Sequence, residues 1–472
     1  MTWTLPSRVE SDARAGDRPR SSPSACRGRS ACDCDAVTTP QRRSIGVLGA
    51  SAIGIGGMVG GGIFAVLGVA AERAGGATPV AFALAGLIAA LTAFSYSRLS
   101  VRFPGPGGTV TFVDRAFGVG EITGSLNIIL WAGYIVTASL YASAFGNYLS
   151  TLVPWGSGRV TTSVLIVIGV LVPWMINLVS ASLVSRSETL VVAIKMGMLA
   201  VVIAAGAPAL SLERLDPADW PTPVSVLAAG MLIFVAYEGF ELIANASGDS
   251  KRPAKTLPRA FAISVGLVIV VYVVIAIVTV GSLSPERIAE TADYALAAAA
   301  STSLGDAGFR LVAVSAVLAT FSAINATLYG TARLSATIAT EGELPDALER
   351  RVWKQPIGLH LTAALALVLA LSMPVASISA MASAVFLAVF AAVNAAEVRT
   401  ESSRGARLIA VAGAVGCLGS LVVLVVQSVA SDPGSMVVLV VLIAFALIGE
   451  HAYLQGHRKG LLRLGGAGST GN

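Results

Sequence analysis

Residues 54–64, GIGGMVGGGIF, decide the fold: they place six glycines within nine residues, in the middle of an apolar segment long enough to span a bilayer. Each glycine inside a helix costs roughly 1 kcal/mol relative to alanine, so the run predicts an interrupted helix. Close helix packing explains glycines spaced four apart, but not the adjacent Gly60–Gly62. Non-helical backbone at membrane depth is tolerated only where it is buried in protein or lines a polar cavity. The run therefore marks a candidate site.

The composition assigns the chain to the membrane. Of 472 residues only 12% are charged and 55% are hydrophobic, with a mean hydropathy of +0.78. Soluble domains carry about twice that charged fraction, which excludes a soluble enzyme, a disordered chain and a disulfide scaffold. Three cysteines, Cys26, Cys32 and Cys34, lie in residues 1–43, a polar segment that we expect to be a disordered cytosolic tail. No fourth ligand lies near them, so neither a metal nor a cofactor is expected.

Apolar runs of about twenty residues, each long enough to cross about 30 Å of hydrocarbon as a helix, recur from Ser44 onward. The region 355–397 is broken only at Met373-Pro374 and allows one span or two. Arginines and lysines lie on both sides of it, and such residues favour the cytosol, so both of its ends are cytosolic and two spans are required. We predict twelve transmembrane helices, near 45–67, 76–97, 123–150, 161–181, 188–210, 224–247, 260–281, 307–330, 357–372, 374–396, 407–428 and 434–454.

The lysine and arginine distribution sets the orientation. Twenty of these residues fall in segments assigned to the cytosol and five in segments assigned to the outside. The positive-inside rule then predicts a multi-pass protein of the cell (cytoplasmic) membrane with both termini in the cytosol, including a C-terminal tail, 456–472. The same excess accounts for the net charge of +5, so binding to nucleic acid need not be invoked.

A second interruption, residues 234–241 with the sequence FVAYEGFE, lies in predicted span 6. Its carboxylates are functional candidates, because an aspartate at the centre of a span costs about 2.5–3.5 kcal/mol on insertion scales. Either could instead cap free amides of the broken helix. Glu241, just past Gly239, suits capping, whereas the role of Glu238 stays open.

Spans 1 and 6 lie five apart, and an odd-numbered repeat enters the membrane from opposite sides. Corresponding glycine-interrupted spans in two such halves predict an inverted-repeat transporter whose site lies at the midplane, where the two breaks face each other. Free amides at half-helix ends attract an anionic group, and exposed carbonyls attract a cation or an ammonium. A zwitterionic amino acid supplies both.

Lys195 lies deep in predicted span 5, about 13 Å from Arg186 at 1.5 Å per residue. Its side chain is too short to reach the interface, and no acid lies one helical turn away in its own span. Burial favours the neutral form of a lysine, which would make Lys195 a titratable group inside the membrane. The alternative is a permanently charged lysine satisfied by carbonyl groups, equivalent to a built-in cation.

Five motifs occur in order along the chain: residues 57–64, 96–108, 236–241, 251–259 and 332–345. Together they resemble the amino acid–polyamine–organocation (APC) family of permeases, from Ser44 to about Tyr453. The resemblance implies an all-α integral membrane protein with the leucine-transporter fold, in which helices 1 and 6 are broken and access alternates.

That fold would occupy residues 44–455. Two inverted halves of five helices would span about 44–212 and 224–397. Two peripheral helices, 407–428 and 434–454, would follow them.

The resemblance also implies roles for single residues. Backbone N–H groups of Gly60–Gly62 would hold the substrate carboxylate. Carbonyl groups near Met58 and Ile63, together with residues of span 6, would take the amino group and begin the side-chain pocket. The implied substrate-binding residues are Met58, Gly60, Gly61, Gly62, Ile63, Phe234, Val235, Ala236 and Glu238. Proton coupling would fall to Lys195, with Gly56, Val59 and Ser322 as its neighbours. Gly239 and Glu241 would be structural at the helix break. Arginine/agmatine exchangers carry a tryptophan where this chain has Val235, which favours smaller or neutral side chains.

The sequence therefore predicts secondary active transport of an amino acid, driven by protons, by a protein embedded in the lipid bilayer. An amino acid/polyamine exchanger, in which Glu238 meets an amine, is the alternative within transport. A non-transporting amino acid sensor is a further alternative. An enzyme is not expected, because no nucleophile, metal or acid–base set is visible. Tyr134 and Tyr141 on span 3 either face the cavity or serve packing.

Overall fold

The computed structural model describes residues 45–154, 158–179, 182–340, 351–352, 355–444 and 447–448. The predicted tails, 1–43 and 456–472, and the end of predicted span 12 lie outside these residues. The helices are α1 (Val47–Met58), α2 (Gly62–Ala74), α3 (Thr78–Arg102), α4 (Gly108–Phe117), α5 (Glu121–Ser150), α6 (Arg159–Val179), α7 (Ser182–Gly206), α8 (Pro223–Leu232), α9 (Leu242–Asn245), α10 (Pro253–Ser282), α11 (Pro285–Thr291), α12 (Ala295–Thr340), α13 (Ile357–Ser372), α14 (Val375–Thr400), α15 (Arg404–Ser431) and α16 (Pro433–Ala444).

Within the described residues, eight helical segments are long and apolar enough to cross a membrane. A ninth candidate is the pair formed by α8 and residues 234–245, which is bent by 42°. Three shorter apolar helices, α1, α13 and α16, lie at the positions of predicted spans 1, 9 and 12. The molecule is thus an all-helical, multi-pass membrane protein. The number twelve and the 5+5 inverted repeat stay predictions.

The uncharged region 355–397 forms two helices, α13 and α14. Met373 is extended, at φ −127° and ψ 146°, because the ring of Pro374 disfavours helical geometry in the residue before it. Pro374 then precedes the first helical residue of α14. The Met373-Pro374 step is therefore the point at which the chain leaves one helix and begins the next.

Some elements lie outside the predicted spans. A short amphipathic helix, α4, follows α3, and α11 precedes α12. The long α12 is divided at Gly305, whose φ of 60° falls in the left-handed region that favours glycine. Residues 351–352 pair antiparallel with residues 355–356 as a minimal hairpin. A hydropathy pattern reports only long apolar runs, and α4, α11 and the hairpin are too short to appear as such runs.

A buried aromatic cluster packs α3, α4 and α14 against the segment that follows α8. The ring of Tyr96 lies at edge-on angles to Phe240, Phe112 and Phe390, with centroids 5.4–5.8 Å apart. Such T-shaped pairs contribute about 0.5–1.5 kcal/mol each beyond the area they bury. Phe240 belongs to the interrupted stretch 234–241 of predicted span 6, so the cluster fixes the position of that span within its break.

An ion-pair network joins the ends of α3 and α14. Arg98 Nε lies 2.9 Å from Glu397 Oε1, and Arg102 Nη2 lies 2.9 Å from Glu401 Oε2. Arg98 also pairs with Glu401. Glu401 follows the last residue of α14 and accepts the Ser403 N–H at 2.7 Å. That hydrogen bond, together with those from Arg98, holds the pKa of Glu401 at about 2.

Candidate functional site

The helix of span 1 is interrupted over three residues, Val59–Gly61, between the end of α1 at Met58 and the start of α2 at Gly62. Gly61 has φ −78°, and the described glycines with positive φ lie elsewhere in the chain. Backbone angles that only glycine can adopt are therefore not the reason for the glycine run.

Close approach is the reason for the run. A Cβ atom on Gly57 would lie 2.6 Å from the carbonyl oxygen of Gly239, and one on Gly62 would lie 2.9 Å from Cα of Ala236. In the reverse direction, a Cβ on Gly239 would lie 2.1 Å from the carbonyl carbon of Gly57. The break of span 6 thus lies in direct backbone contact with span 1 on either side of Val59–Gly61, and a larger residue does not fit at these positions.

The interruption in span 6 is a 3₁₀ segment, Phe234–Glu241, between α8 and α9. Runs of 3₁₀ helix longer than three or four residues are uncommon and often mark a hinge or strain. Two serines of α14 satisfy the backbone where α8 ends: Ser379 and Ser383 both donate to the carbonyl of Leu232, at 2.6 and 2.8 Å. Ser383 in turn accepts the N–H of Val235 at 3.0 Å. Some of the backbone groups that the break leaves without helical hydrogen bonds are therefore hydrogen-bonded to α14.

The start of α2 carries the groups expected to bind a carboxylate. The first N–H groups of a helix have no acceptor within it, and here they belong to residues 61–64, all of them buried. The partial positive charge of a helix N-terminus favours an anion at this place. Of the predicted residues, Gly61, Gly62 and Ile63 fall at this helix end, whereas Gly60 lies one step before it and packs toward Ala323 of α12.

Carbonyl groups of both breaks converge on one side chain that the sequence analysis did not single out. The Tyr272 hydroxyl on α10 donates to the Met58 carbonyl at 2.6 Å and lies 3.3 Å from the Ala236 carbonyl. Met58 and Ala236 are both predicted substrate-binding residues. A sequence signal for Tyr272 exists, because it is the one polar side chain in the apolar run 265–278.

Glu238 faces α5. Thr137 and Tyr141 on α5 donate to its two carboxylate oxygens at 3.3 and 3.4 Å. The ring of Tyr141 also covers Gly61, since a Cβ there would lie 2.4 Å from a ring carbon. Tyr141 therefore connects the carboxylate end of the candidate site with Glu238, and its role exceeds packing.

Glu241 does not cap the broken helix, which corrects the expectation from its position after Gly239. Its side chain makes no capping hydrogen bond at the start of α9. It accepts hydrogen bonds from the hydroxyls of Tyr96 and Thr109, each at 3.3 Å, and from Tyr134. Side chains at i and i+3 of a 3₁₀ helix eclipse each other, so Glu238 and Glu241 share the face toward α5. The donors to Glu241 are therefore hydroxyl groups of residues far away in the sequence, not the backbone amides next to it. Sequence spacing does not reveal such partners.

Lys195 is buried, with 4% of its surface exposed, on the face of α7 that also carries Leu199 and Val202. α7 packs against α1 and α12, and Met198 contacts Ser315 of α12. From that contact, Lys195 lies about 4.5 Å back along α7 and Ser322 about 10.5 Å forward along α12.

Three further predicted site residues are buried. Gly56 and Val59 are buried in α1 and its break, on the helix that α7 contacts. Phe234 is also buried, but its ring packs 5.8 Å from that of Phe390.

Within the described part of the chain, no three histidine, cysteine, aspartate or glutamate side chains are grouped to hold a metal ion. The three N-terminal cysteines lie outside it.

Comparison with known proteins agrees with this architecture. Residues 45–449 match the family model described as amino acid permease. The chain is 33% identical over 328 residues to the inner membrane transport protein YbaT of Escherichia coli, covering 69% of this chain and 76% of YbaT. It is 30% identical over 404 residues to an uncharacterized transporter of Mycobacterium tuberculosis, covering 83% and 88%. It is 26% identical over 346 residues to the serine/threonine exchanger SteT of Bacillus subtilis, covering 70% and 76%.

The match extends over most of the chain, and relatives at 30% identity or more cover over two thirds of it. The resemblance seen in the five sequence motifs is thereby confirmed. The chain belongs to the amino acid permease family, within the APC transporters, and is a membrane transporter of amino acids and not an enzyme.

Proposed function

We propose that the protein moves an amino acid across the cytoplasmic membrane by alternating access, in symport with a proton that Lys195 takes up and releases. Both termini face the cytosol, as the lysine and arginine distribution indicates. The observation that carries the proposal is the backbone contact between Gly57, near the end of α1, and Gly239 in the break of span 6. It brings the buried N–H groups that begin α2 next to the carbonyl groups of Met58 and Ala236. The N–H groups favour an anion and the carbonyl groups favour a cation, a combination suited to a zwitterion.

The proposed binding mode follows from these two sets of backbone groups. The substrate carboxylate meets the N–H groups at Gly61 and Gly62, with Gly60 allowing the approach. The ammonium meets the carbonyl groups of Met58 and Ala236, and the side chain extends toward Val235 and Glu238. Ile63 and Phe234 shape the apolar wall around it.

Proton coupling rests on the position of Lys195. Lys195 is buried on α7, a helix that packs against α1 and α12. Gly56 lies in α1, Val59 directly follows it, and Ser322 lies in α12. A protonated lysine there supplies the positive charge that holds the three helices together, and deprotonation releases them. In this scheme, loss of the proton to the cytosol opens the inner pathway and frees the substrate.

The test is transport by purified protein in liposomes. A thermal-shift screen over the common amino acids and polyamines first identifies a ligand, which is then used in radiolabelled form. We expect an inward pH gradient to drive its accumulation, and Lys195→Ala to abolish accumulation while keeping binding. Lys255→Ala is the matched control, because it removes an exposed lysine at the start of α10. Full gradient-driven accumulation by Lys195→Ala would contradict the coupling role.

An exchanger is the second candidate, and Glu238 is the observation that favours it. A buried carboxylate flanked by Thr137 and Tyr141 offers an acceptor to a second amine or hydroxyl of a substrate. A relative that is 26% identical over 346 residues is named as a serine/threonine exchanger. Counterflow separates the two: an obligate exchanger takes up label only into liposomes preloaded with substrate, whereas a symporter also fills empty ones.

A further inference from the structure

A cavity of about 360 Å³ lies where the first turn of α6 meets the end of α13, two helices that pack against each other. Its polar lining residues are Arg159, Thr162, Ser163 and Ser372, and the other described residues around it are apolar. None of the lining residues belongs to α1, α2 or the segment 234–241, which form the proposed amino acid site. A positive charge beside hydroxyl groups, with no acidic side chain among the described lining residues, favours an anion.

Arg159 supplies the charge of this cavity. Two other arginines assigned to the same side of the membrane, Arg287 and Arg310, pair with an acidic residue of their own helix at 2.8 and 2.9 Å. The ion pairs formed among the described residues do not include Arg159. A guanidinium presents a planar set of N–H donors that matches the oxygens of a phosphate. Arg159 is therefore suited to hold a phosphate group in the cavity.

The cavity lies at the level of the lipid headgroups. α6 begins at Arg159 and has 21 residues, so it is about 31 Å long and crosses about 30 Å of hydrocarbon with its first residue at the edge. Inward from that edge, Val164 and Ile168 of α6 are 52% and 43% exposed, and Val368 of α13 is 61% exposed. In a bilayer these apolar side chains contact acyl chains. The ends of α6 and α13 thus combine a polar cavity with an apolar surface beside it, which fits a phospholipid better than a free anion.

We propose that this cavity binds the headgroup of a phospholipid that carries a net negative charge and hydroxyl groups, such as phosphatidylglycerol. The phosphate meets Arg159, the headgroup hydroxyls meet Thr162 and Ser163, and the acyl chains lie along the exposed apolar residues of the two helices. A zwitterionic headgroup fits less well, because its ammonium finds no acidic partner among the described lining residues. The bound lipid is a component of the folded carrier and not its cargo.

The first experiment counts the lipids retained by the purified protein in native mass spectrometry during titration with phosphatidylglycerol. We expect Arg159→Gln to bind one lipid about tenfold more weakly than the wild type, because it loses charge-assisted hydrogen bonds to the phosphate. Arg310→Gln is the matched control, since it removes an exposed arginine of the same side that already pairs with Asp306. It should bind lipid as the wild type does, and equal binding by the two variants overturns the inference.

A second pair of variants tests the cavity itself. Ser163→Phe fills the cavity while Arg159 stays, and Val160→Phe places the same ring on a residue of the first turn that is 79% exposed and does not line the cavity. We expect only Ser163→Phe to weaken the binding of phosphatidylglycerol, again by about tenfold. If Ser163→Phe binds the lipid as Val160→Phe does, the lipid lies elsewhere and the inference is wrong. Should Ser163→Phe not fold, Arg159→Gln decides alone.

The choice of ligand separates the two sources of a phosphate group. In thermal unfolding, phosphatidylglycerol should stabilise the wild type with a saturable dependence on its concentration, because a ligand that binds only the folded state raises the melting temperature. Phosphatidylcholine should stabilise it less, and glycerol 3-phosphate at the same concentration should not. Equal stabilisation by phosphatidylcholine, or stabilisation by glycerol 3-phosphate, overturns the proposal. These measurements require no amino acid, so their outcome is independent of the proposed function.

Discussion

Gly239→Ala tests whether backbone contact between the two breaks is what the site depends on. The added Cβ would lie 2.1 Å from the carbonyl carbon of Gly57, whereas ordinary contact begins at 3.4 Å. The breaks must therefore separate by about 1.3 Å, the difference between those distances. Overpacking a core costs about 1–3 kcal/mol when side chains can adjust, and here both neighbours are backbone.

We therefore expect a loss of about 3 kcal/mol in the free energy of unfolding, the upper end of that range. The same energy applied to the geometry of the site corresponds to more than a hundredfold weaker substrate binding. The assays are thermal unfolding of the purified carrier and initial uptake by liposomes containing equal amounts of protein. Both should fall in Gly239→Ala, and uptake should be close to background.

A graded series of alanine variants makes the reasoning sharper. Gly61→Ala meets a ring carbon of Tyr141 at 2.4 Å, and a ring can move where backbone cannot. For Gly60→Ala the nearest atoms are Ala323 Cβ and the Gly57 carbonyl oxygen, both at 3.2 Å. The control is Gly266→Ala, an exposed position in α10 with nothing within 4 Å. Damage should decrease in the order 239, 61, 60, 266. If Gly239→Ala behaves like Gly266→Ala in both assays, the close-approach argument is wrong.

Two further outcomes follow from particular hydrogen bonds. Ser383→Ala leaves the N–H of Val235 without its acceptor, so melting should report a loss of about 1–3 kcal/mol, while Ser383→Thr keeps the hydroxyl and most of the stability. Glu401 has its pKa lowered to about 2 by the Ser403 N–H and by Arg98, so its contribution to stability is complete above the ordinary carboxyl pKa of about 4.3 and is lost as pH falls toward 2. The melting temperature of Glu401→Gln should therefore lie below that of the wild type at pH 6 and approach it at pH 2 to 3; a constant difference over that range would contradict the ion-pair account.

The positions of the spans and breaks were accessible from sequence because their signals are local. Length and apolarity of a run report a crossing directly, and a dense glycine run reports a place where side chains are excluded. Both signals placed the interruption of span 1 within residues 54–64, where Val59–Gly61 leave the helix. The Met373-Pro374 step is local in the same sense, and α13 and α14 separate there.

The hydrogen-bond partners of the buried carboxylates could not be predicted from local signals in the sequence. Glu241 is held by Tyr96, Thr109 and Tyr134, which come from α3, α4 and α5 and lie more than a hundred residues away in sequence. Capping was the expected role because it needs only neighbouring amides. A buried carboxylate takes whichever donors reach it, and three hydroxyls from packed helices satisfy it without unwinding more backbone. The single sequence held no signal for that choice.

The position of the break in span 1 was predicted correctly from the glycine run, although helix propensity explains only part of that run. Helix propensity predicts that a segment with Gly54, Gly56 and Gly57 should unwind, yet all three lie inside α1. Propensity is a weak term that packing overrides, and α1 is packed against the 3₁₀ segment and α10. Gly57 is needed because the backbone of Gly239 occupies the place of a side chain. The break itself therefore requires only three non-helical residues, while Gly57 and Gly62 on either side of it allow the 3₁₀ segment to approach.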